Sequence, residues 1–230
     1  MLILAFETSA KAASVALWED GRLIGESFQN TGLTHSQTLM VMTRDLMAQC
    51  GKTAEDVGAV AVAAAKGFAW GRKLPCCAAS TLGSMALGLG AWQGYVCPVM
   101  DARRSQVYNA LFHVDCGEYT RIREDRAISL AELGEELQNL SEPIYLVGDG
   151  SILCYNTLLE KVPNLVLPPE HRMHQRAAGV ALEAARMLAR GESCSGGELA
   201  PNYLRLSQAE RERLEREKTQ AEVARPQTAQ

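Results

Sequence analysis

The sequence predicts an α/β protein built from two similar domains, each with a mixed β-sheet covered by helices. Short apolar segments of strand length alternate with longer segments of helical periodicity along residues 1–206. After about Gly94 the order of these segments starts again, although the two halves share little sequence. We therefore expect domains at 1–94 and 95–206, followed by a charged, flexible tail at 207–230.

Composition restricts the classes of protein to which the chain can belong. The 23 Lys and Arg residues are outnumbered by 27 Asp and Glu, so a chain that grips nucleic acid by itself is not expected. The first apolar run, Leu2–Phe6, is too short for a signal peptide or a membrane span. The seven cysteines form no Cys-x-x-Cys pair, and Cys76 and Cys77 alternate faces in a predicted strand. This pattern indicates reduced, mostly buried thiols in a cytoplasmic protein, without a metal site.

The first half is predicted to be a three-stranded meander followed by alternating helices and strands. Asp20-Gly21 is typical of a two-residue hairpin turn. Thr34 is a candidate N-cap, with Gln37 at the capping-box position and Gly51 as the candidate C-cap. The predicted strands are Leu2–Phe6, Ala12–Trp18, Arg22–Phe28, Val57–Ala63 and Leu74–Ala79, and the predicted helices are 34–50 and Thr81–Trp92.

The second half repeats this order. Ser129 caps its first helix, with Glu132 at the capping-box position. The predicted strands are Val96–Met100, Gln106–Val114, Tyr119–Ala127, Ile144–Val147 and Leu165–Leu167, and the predicted helices are 129–140, Ser151–Glu160 and Gln175–Arg190. Each half therefore has the order βββαβαβα, a meander followed by right-handed crossovers. Two such domains with a cleft between them describe the actin-like (ASKHA, ribonuclease H-like) fold of actin, Hsp70 and sugar kinases.

Two turns could meet a phosphate in a fold of this kind. Glu7, Thr8 and Ser9 lie between the first two strands, where actin-like kinases carry an acid and hydroxyls for Mg²⁺-bound water and phosphate. A polar hairpin turn has the same composition and is the simpler interpretation. Asp149 lies between Gly148 and Gly150 before a helix, where either a phosphate site or a tight turn can form. We favour the tight turn, because the sequence contains no Walker-type glycine loop.

Other candidates for chemistry are few. His171 and His174 are three residues apart, whereas helical metal pairs use a spacing of four, so we expect surface histidines and no metal. No Gly-x-Ser-x-Gly elbow occurs, because Gly83-Ser84 lacks the glycine that should follow. The sequence therefore predicts no catalytic residues, and a kinase would have a single candidate acid, Glu7.

Several strings of the sequence resemble the TsaB (YeaZ) family, in that family's order along the chain. The strings are Leu2–Ser9, Ala13–Trp18, Leu33–Ser36, Ala65–Ala69, Asp101–Arg104 with Val107-Tyr108, Val147–Gly150 and Pro201–Glu210. They extend from the first residue to about Arg211, and Asp101–Arg104 and Pro201–Glu210 are the most specific of them. The chain is therefore identified as a member of this family.

The resemblance implies a two-domain actin-like fold and a role in forming the threonylcarbamoyl modification of adenosine in tRNA. In that family the chain does not perform the transfer. It binds the catalytic subunit TsaD, the ATPase TsaE joins the assembly, and tRNA is met only indirectly. The family's contact surface is a helical bundle of the N-terminal domain, which also supports homodimers. No cofactor is implied, and a nucleotide is expected only at an interface with a partner.

The first helix is the part of this domain that we expect at a partner. Leu39, Met42 and Leu46 recur at helical spacing, and Met40-Val41 adds a second apolar edge. A helix that is apolar on more than one side needs more cover than its own sheet supplies. Leu39, Met42 and Leu46 are the candidate anchors, with His35 at the start of the helix. The alternative, in which all three apolar side chains face the sheet, stays open.

The chain departs from the family pattern in two places. Glu7 stands where the family usually carries Asp, and its longer side chain would place the carboxylate differently. After Ala63 the family's Gly-Pro-Gly-Ser-Phe-Thr-Gly-like loop and the start of the next helix are absent, although a parallel crossover needs about ten to twelve residues. The missing piece belongs to the partner-binding helix. Two alternatives therefore stay open: an actin-fold ATPase or kinase using Glu7, Thr8 and Asp149, and a degenerate paralogue that has lost partner binding.

Overall fold

The computed structural model describes residues 1–63, 73–90 and 92–199. Its first sheet contains the strands β1 (Leu2–Glu7), β2 (Ala13–Glu19), β3 (Arg22–Gln29), β4 (Val57–Val62) and β5 (Cys76–Ala78). The strand order is β3-β2-β1-β4-β5, in which β1, β2 and β3 are antiparallel neighbours and β4 and β5 continue parallel to β1. This is the meander followed by crossovers that the sequence predicts.

The second sheet has the same topology. Its strands are β6 (Gly94–Asp101), β7 (Gln106–Asp115), β8 (Glu118–Ser129), β9 (Ile144–Val147) and β10 (Leu165–Val166). The order β8-β7-β6-β9-β10 matches the first sheet strand for strand, so the predicted duplication is confirmed. The edge strand β8 is longer than expected at twelve residues. The sequence predicts this strand as Tyr119–Ala127, three residues shorter, and its many charged side chains are typical of an edge strand.

Two local predictions for the first half agree with the structure: a hairpin turn and the side-chain alternation of a strand. Asp20 and Gly21 have φ angles of 50° and 83°, as a primed hairpin turn requires. Cys76 packs with the α1 side of the first sheet and Cys77 with the opposite side, so the predicted alternation is confirmed. Both faces of the sheet are therefore covered by apolar cores.

Six helices complete the described part of the chain. They are α1 (His35–Gln49), α2 (Thr81–Leu89), α3 (Leu130–Leu137), α4 (Ser151–Leu158), α5 (Glu170–Met173) and α6 (Ala177–Ala189). The Gln37 side chain accepts the Thr34 N–H at 3.3 Å at the start of α1, in agreement with the predicted cap. Helix α2 ends before the predicted Trp92, because Gly90 turns the chain with a φ of 98°. The short helix α5 was not predicted.

The helices are exchanged between the two halves of the sequence. Helix α1 covers one face of the first sheet, but the other face is covered by α6, from the second half. Helix α2, from the first half, packs against β6 and β7 of the second sheet. The ranges 1–94 and 95–206 thus separate the two sheets but not the helices that cover them.

Helices α2 and α6 meet in the middle of the molecule at small residues. A Cβ atom added to Gly88 would lie 3.6 Å from the Gly179 Cα, and one added to Gly179 would lie 2.1 Å from the Ser84 carbonyl oxygen. Only glycine permits this approach of the two backbones. Beside it, the Ser84 hydroxyl donates to the buried carboxylate of Glu183 at 2.7 Å. The contact joins the two sheets through their exchanged helices.

Three sequence predictions lie outside the described residues. They are the shortened crossover at 64–72, the string Pro201–Glu210 and the charged tail at 207–230.

Candidate functional site

Strand β1 ends in a buried acid. Glu7 is 1% exposed, and its carboxylate turns back over the residues that follow it. Oε1 accepts a hydrogen bond from the Ser9 N–H at 2.7 Å and another from the Ser9 hydroxyl. The Thr8 N–H donates to the same carboxylate. The amides of this turn are therefore already bound to an anion that belongs to the protein itself.

Burial and these hydrogen bonds shift the pKa of Glu7 in opposite directions. Burial raises the pKa of the Glu7 carboxyl above its ordinary value, and the hydrogen bonds from Ser9 and Thr8 oppose the shift. Oε2 has no hydrogen-bond partner within the described ranges. The predicted acid, Glu7, is thus present at the turn, but its carboxylate accepts hydrogen bonds from the residues of that same turn.

The second predicted turn has its amides satisfied by backbone carbonyls. The Gly148 N–H donates to the Met173 oxygen at 2.6 Å, and the Gly150 N–H donates to the Val99 oxygen at 3.1 Å. The Ser151 N–H donates back to the Gly148 oxygen at 3.1 Å. A phosphate at a helix N-terminus needs such donors to be free. The arrangement is therefore that of a tight turn, the interpretation that the sequence favours.

Asp149 lies at the outer side of this turn. Its carboxylate accepts a hydrogen bond from Gln175 Nε2 at 3.3 Å. The side chain reaches the surface, yet desolvation by its neighbours raises the pKa of the carboxyl despite the Gln175 hydrogen bond. In the part of the chain that the structure describes, no hydrogen bond joins Asp149 to Glu7.

The histidines have structural surroundings. His174 Nε2 lies 3.2 Å from Glu170 Oε1, and its ring stacks on Phe28. His35 Nε2 lies 2.9 Å from the Ala10 carbonyl oxygen, which ties the start of α1 to the first hairpin. The described residues contain no group of three or more His, Cys, Asp or Glu side chains that could hold a metal ion.

The outer face of α1 differs from the surface that the sequence indicates. Met42 and Leu46 are only 4% and 6% exposed, and they pack with Leu39 against the first sheet. Of the two alternatives, the sheet-facing one therefore holds for the predicted anchors. Side chains buried in this way cannot reach a partner. Met40 and Val41, the second apolar edge, are 57% and 47% exposed instead.

A third apolar side chain accompanies this edge. Leu33, just before the helix, is 56% exposed. We call Leu33, Met40 and Val41 the α1 outer face. The predicted anchors lie on the stripe that packs against the sheet, whereas Met40 and Val41 lie on the exposed one. Helical spacing identifies two stripes without saying which of them meets the sheet.

A partly buried ion pair that the sequence analysis did not predict joins the two halves. Glu26 on β3 accepts hydrogen bonds from the Arg176 guanidinium at 2.7 Å and from the Ala178 N–H at 3.1 Å. The Glu26 side chain is 10% exposed, so this pair holds the start of α6 against the first sheet. A sequence pattern does not predict this pair, because Glu26 is a single acid in a strand and Arg176 lies 150 residues further along the chain.

None of the helices in the described part of the chain has both the length and the apolar composition needed to cross a membrane.

Comparison with known proteins gives consistent matches along the chain. The family model described as TsaD, tRNA N6-adenosine threonylcarbamoyltransferase, matches residues 29–212. The tRNA threonylcarbamoyladenosine biosynthesis protein TsaB of Escherichia coli (strain K12) is 30% identical over 224 residues, which cover 89% of this chain and 95% of that protein. The protein of the same name from Bacillus subtilis (strain 168) is 26% identical over 232 residues, covering 95% of this chain and all of that protein.

A solved structure supports the fold. YeaZ from Pseudomonas aeruginosa matches with a TM-score of 0.69 at 22% sequence identity, covering 88% of this chain and 99% of that one. At this identity the likeness shows the shared fold alone. Together with the two sheets of identical topology and the sequence matches, these findings show that the chain belongs to the TsaB (YeaZ) family and has its two-domain, actin-like α/β fold.

Proposed function

We propose that this chain is a non-catalytic partner subunit of the complex that forms threonylcarbamoyladenosine in tRNA, and that it binds and supports a TsaD-like transferase subunit. Its relatives in E. coli and B. subtilis are named tRNA threonylcarbamoyladenosine biosynthesis proteins. The match of residues 29–212 to a transferase family model favours a place beside such a transferase.

One observation carries the non-catalytic part of the proposal. An actin-fold kinase needs free amides and hydroxyls at its first turn, because these groups meet the transferred phosphate. Here the Glu7 carboxylate accepts the Thr8 and Ser9 N–H groups and the Ser9 hydroxyl. A phosphate would have to displace a buried anion, at the cost of like-charge repulsion. The chain is thus poorly prepared to bind a phosphate at this turn.

The α1 outer face is the proposed contact surface. Leu33, Met40 and Val41 are large apolar side chains exposed at or just before one helix, and an exposed apolar surface of this kind favours contact with another protein. Methionine suits such a surface, because its flexible side chain adapts to the partner. The same face could pair two copies of this chain, so a homodimer competes with the transferase subunit for it.

The wider assembly follows from the same proposal. A TsaE-like ATPase joins the pair, and tRNA meets this chain only indirectly. The chain carries no cofactor of its own, and a nucleotide binds only at a boundary with a partner. The complex works in the cytoplasm.

Gel filtration of the full chain mixed with a purified TsaD-type subunit tests the proposed contact. We expect the two proteins to elute together at micromolar concentration. The double substitution Met40→Glu and Val41→Glu should separate them, because it places two charges in an apolar contact. Ile122→Glu is the matched control, since Ile122 is an exposed apolar residue of β8 outside the α1 outer face. It should leave co-elution unchanged.

Separate elution of the unmodified proteins would contradict the proposal and favour a degenerate paralogue that has lost its partner. Co-elution that survives the Met40 and Val41 substitutions would reject the α1 outer face as the contact.

The rival function is an actin-fold ATPase or kinase. Calorimetry with Mg-ATP distinguishes it from a partner subunit. We expect no binding heat from the isolated chain. Tight binding that is lost on Glu7→Ala would show that Glu7 serves a nucleotide, and the partner-subunit proposal would then be wrong.

A further inference from the structure

The second half of the molecule has an open cleft that the proposed function leaves unused. It has a volume of about 780 Å³ and lies between the β6–β7 turn, the start of α3 and the outer side of α4. Three cations, Arg103, Arg104 and Lys161, line it together with three leucines, Leu130, Leu153 and Leu158. We call these six residues and the space between them the basic cleft.

The β6–β7 turn holds the two arginines at the cleft in an unusual backbone conformation. Arg103, Arg104 and Ser105 have φ angles of 62°, 54° and 56°, the left-handed region that residues with a side chain rarely adopt. The turn is fixed at its start, where Asp101 Oδ1 accepts the Arg103 N–H at 2.7 Å, and at its end, where the Ala102 N–H donates to the Gln106 oxygen at 3.0 Å. Both arginines therefore reach the cleft from a left-handed backbone conformation that the turn's hydrogen bonds hold in place.

Within the described residues, the three cations of the basic cleft outnumber the one acid that lines it, the exposed Asp101. Neither the Arg103 nor the Arg104 guanidinium forms a hydrogen bond or ion pair with any residue that the structure describes. By contrast, Arg121 and Arg126 on the neighbouring strand β8 are both paired with acids. Lys161 has Glu135 at 3.8 Å, a distant pair in which both side chains are exposed, so it contributes little. The cleft therefore keeps positive charge on a chain whose net charge is −4.

Apolar side chains continue from the cleft along α4. Leu153, in the cleft, is 40% exposed, and Ile152 beside it is 50% exposed. Leu159, at the end of the helix, is 36% exposed. The cleft thus brings an exposed leucine and three cations together, which suits a ligand that offers apolar and anionic groups.

We propose that the basic cleft binds an acidic, amphipathic polypeptide segment of a partner protein. Its carboxylates would pair with Arg103 and Arg104, for which the planar guanidinium is well suited, and its apolar side chains would cover Leu153 and Ile152. RNA fits less well. No aromatic side chain lines the described part of the cleft for bases to stack on, and three cations give a weak grip on phosphates. The proposal does not depend on the α1 outer face.

Fluorescence anisotropy with the full chain tests the proposal. The probe is a fluorescein-labelled peptide of repeated Glu-Glu-Leu-Leu units, compared with the same peptide carrying Lys in place of Glu and with a labelled oligouridine. We expect saturable binding of the acidic peptide only, weakened by added salt. The substitutions Arg103→Gln and Arg104→Gln together should weaken it by roughly tenfold or more. Lys11→Gln with Arg22→Gln, which removes two exposed cations elsewhere, should leave it unchanged.

Two further variants keep the test decisive if the altered turn does not fold. Lys161→Gln and Leu153→Gln lie outside the left-handed turn, and each should weaken the acidic peptide by several-fold. The proposal is overturned if the acidic peptide does not bind, or if it binds all variants equally. It is also overturned if the oligouridine binds at the arginines and the acidic peptide does not, because the cleft would then recognise phosphates.

Discussion

The hairpins that follow β1 and β6 occupy equivalent places in the two sheets but differ in what they expose. Each begins with an acid that accepts the N–H two residues later: Ser9 donates to Glu7 and Arg103 donates to Asp101, both at 2.7 Å. Glu7 is buried, and its carboxylate already binds the N–H groups of Thr8 and Ser9. Asp101 is exposed, and its turn presents Arg103 and Arg104 to an open cleft.

The difference shows that topology fixes where a turn lies, whereas a few side chains decide what it can bind. The same local hydrogen bond closes one turn on itself and steadies the other in an exposed, basic conformation. In the first turn the Glu7 carboxylate occupies the Thr8 and Ser9 N–H groups, whereas the second turn leaves Arg103 and Arg104 exposed, as the proposed acidic segment requires.

The largest loss of stability is expected at Gly148, which packs against β6 just before the β6–β7 turn. Gly148 has a φ of 109°, and a Cβ there would lie 2.1 Å from the Val99 oxygen, just before Asp101. Gly148→Ala should therefore destabilise the fold by roughly 3 kcal/mol or more, from left-handed strain and backbone displacement together. Urea unfolding measures this loss.

Gly191→Ala is the matched control for that substitution. Gly191 has a φ of 76° but nothing within 4 Å of an added Cβ, so it tests strain alone. We expect a loss of about 1–2 kcal/mol. Equal losses at the two glycines would show that the close approach to Val99 is not a constraint.

The next effect is the pH dependence of the free energy of unfolding that arises from Glu7 in the first turn. The folded-state pKa of Glu7 is raised above its ordinary value of 4.5 by burial. Its contribution to stability is therefore fully present below that value, and it is lost as the pH rises through the raised pKa. Glu7→Gln should remove this loss, so the variant should gain stability relative to the wild type between acidic and neutral pH. Urea midpoints measured across this range test the expectation.

Asp101→Asn sharpens the contrast between the turns. Its carboxylate is exposed, so the neutral amide should change stability by less than about 0.5 kcal/mol in urea unfolding. A loss as large as that of Gly148→Ala would contradict this expectation.

Modest effects are expected at the two equivalent helix starts. The Ser129 hydroxyl accepts the Glu132 N–H at 3.2 Å at the start of α3, so Ser129→Ala should cost about 1 kcal/mol. The Thr34 hydroxyl at the start of α1 instead donates to the Gln37 side chain, so Thr34→Ala should cost only about half as much. Thermal unfolding of the two variants compares them, and a larger loss at Thr34 would contradict this assignment of the caps.

Local chemistry made part of the fold predictable. The Asp20-Gly21 turn, the Ser129 cap and the opposite faces of Cys76 and Cys77 are each decided by neighbours in sequence, and each agrees with the structure. Together with the repeated order of elements, such signals predicted both sheets.

Long-range packing decided what the sequence did not predict. Nothing local indicates that α6 crosses to the first sheet, because an apolar helix face does not specify which sheet it meets. The same ambiguity left open which stripe of α1 packs against the sheet, and the structure places Met42 and Leu46 there. The left-handed conformation of Arg103 and Arg104 could not be expected either, since such turns usually contain glycine.

The most direct test of the central claim is the formation of threonylcarbamoyladenosine in tRNA by a TsaD-type transferase with this chain added. If the chain contributes a surface and no reacting group, Glu7→Gln should support full product formation, whereas Met40→Glu with Val41→Glu should support none. A Glu7→Gln variant that still elutes with the transferase but yields no product would contradict the account.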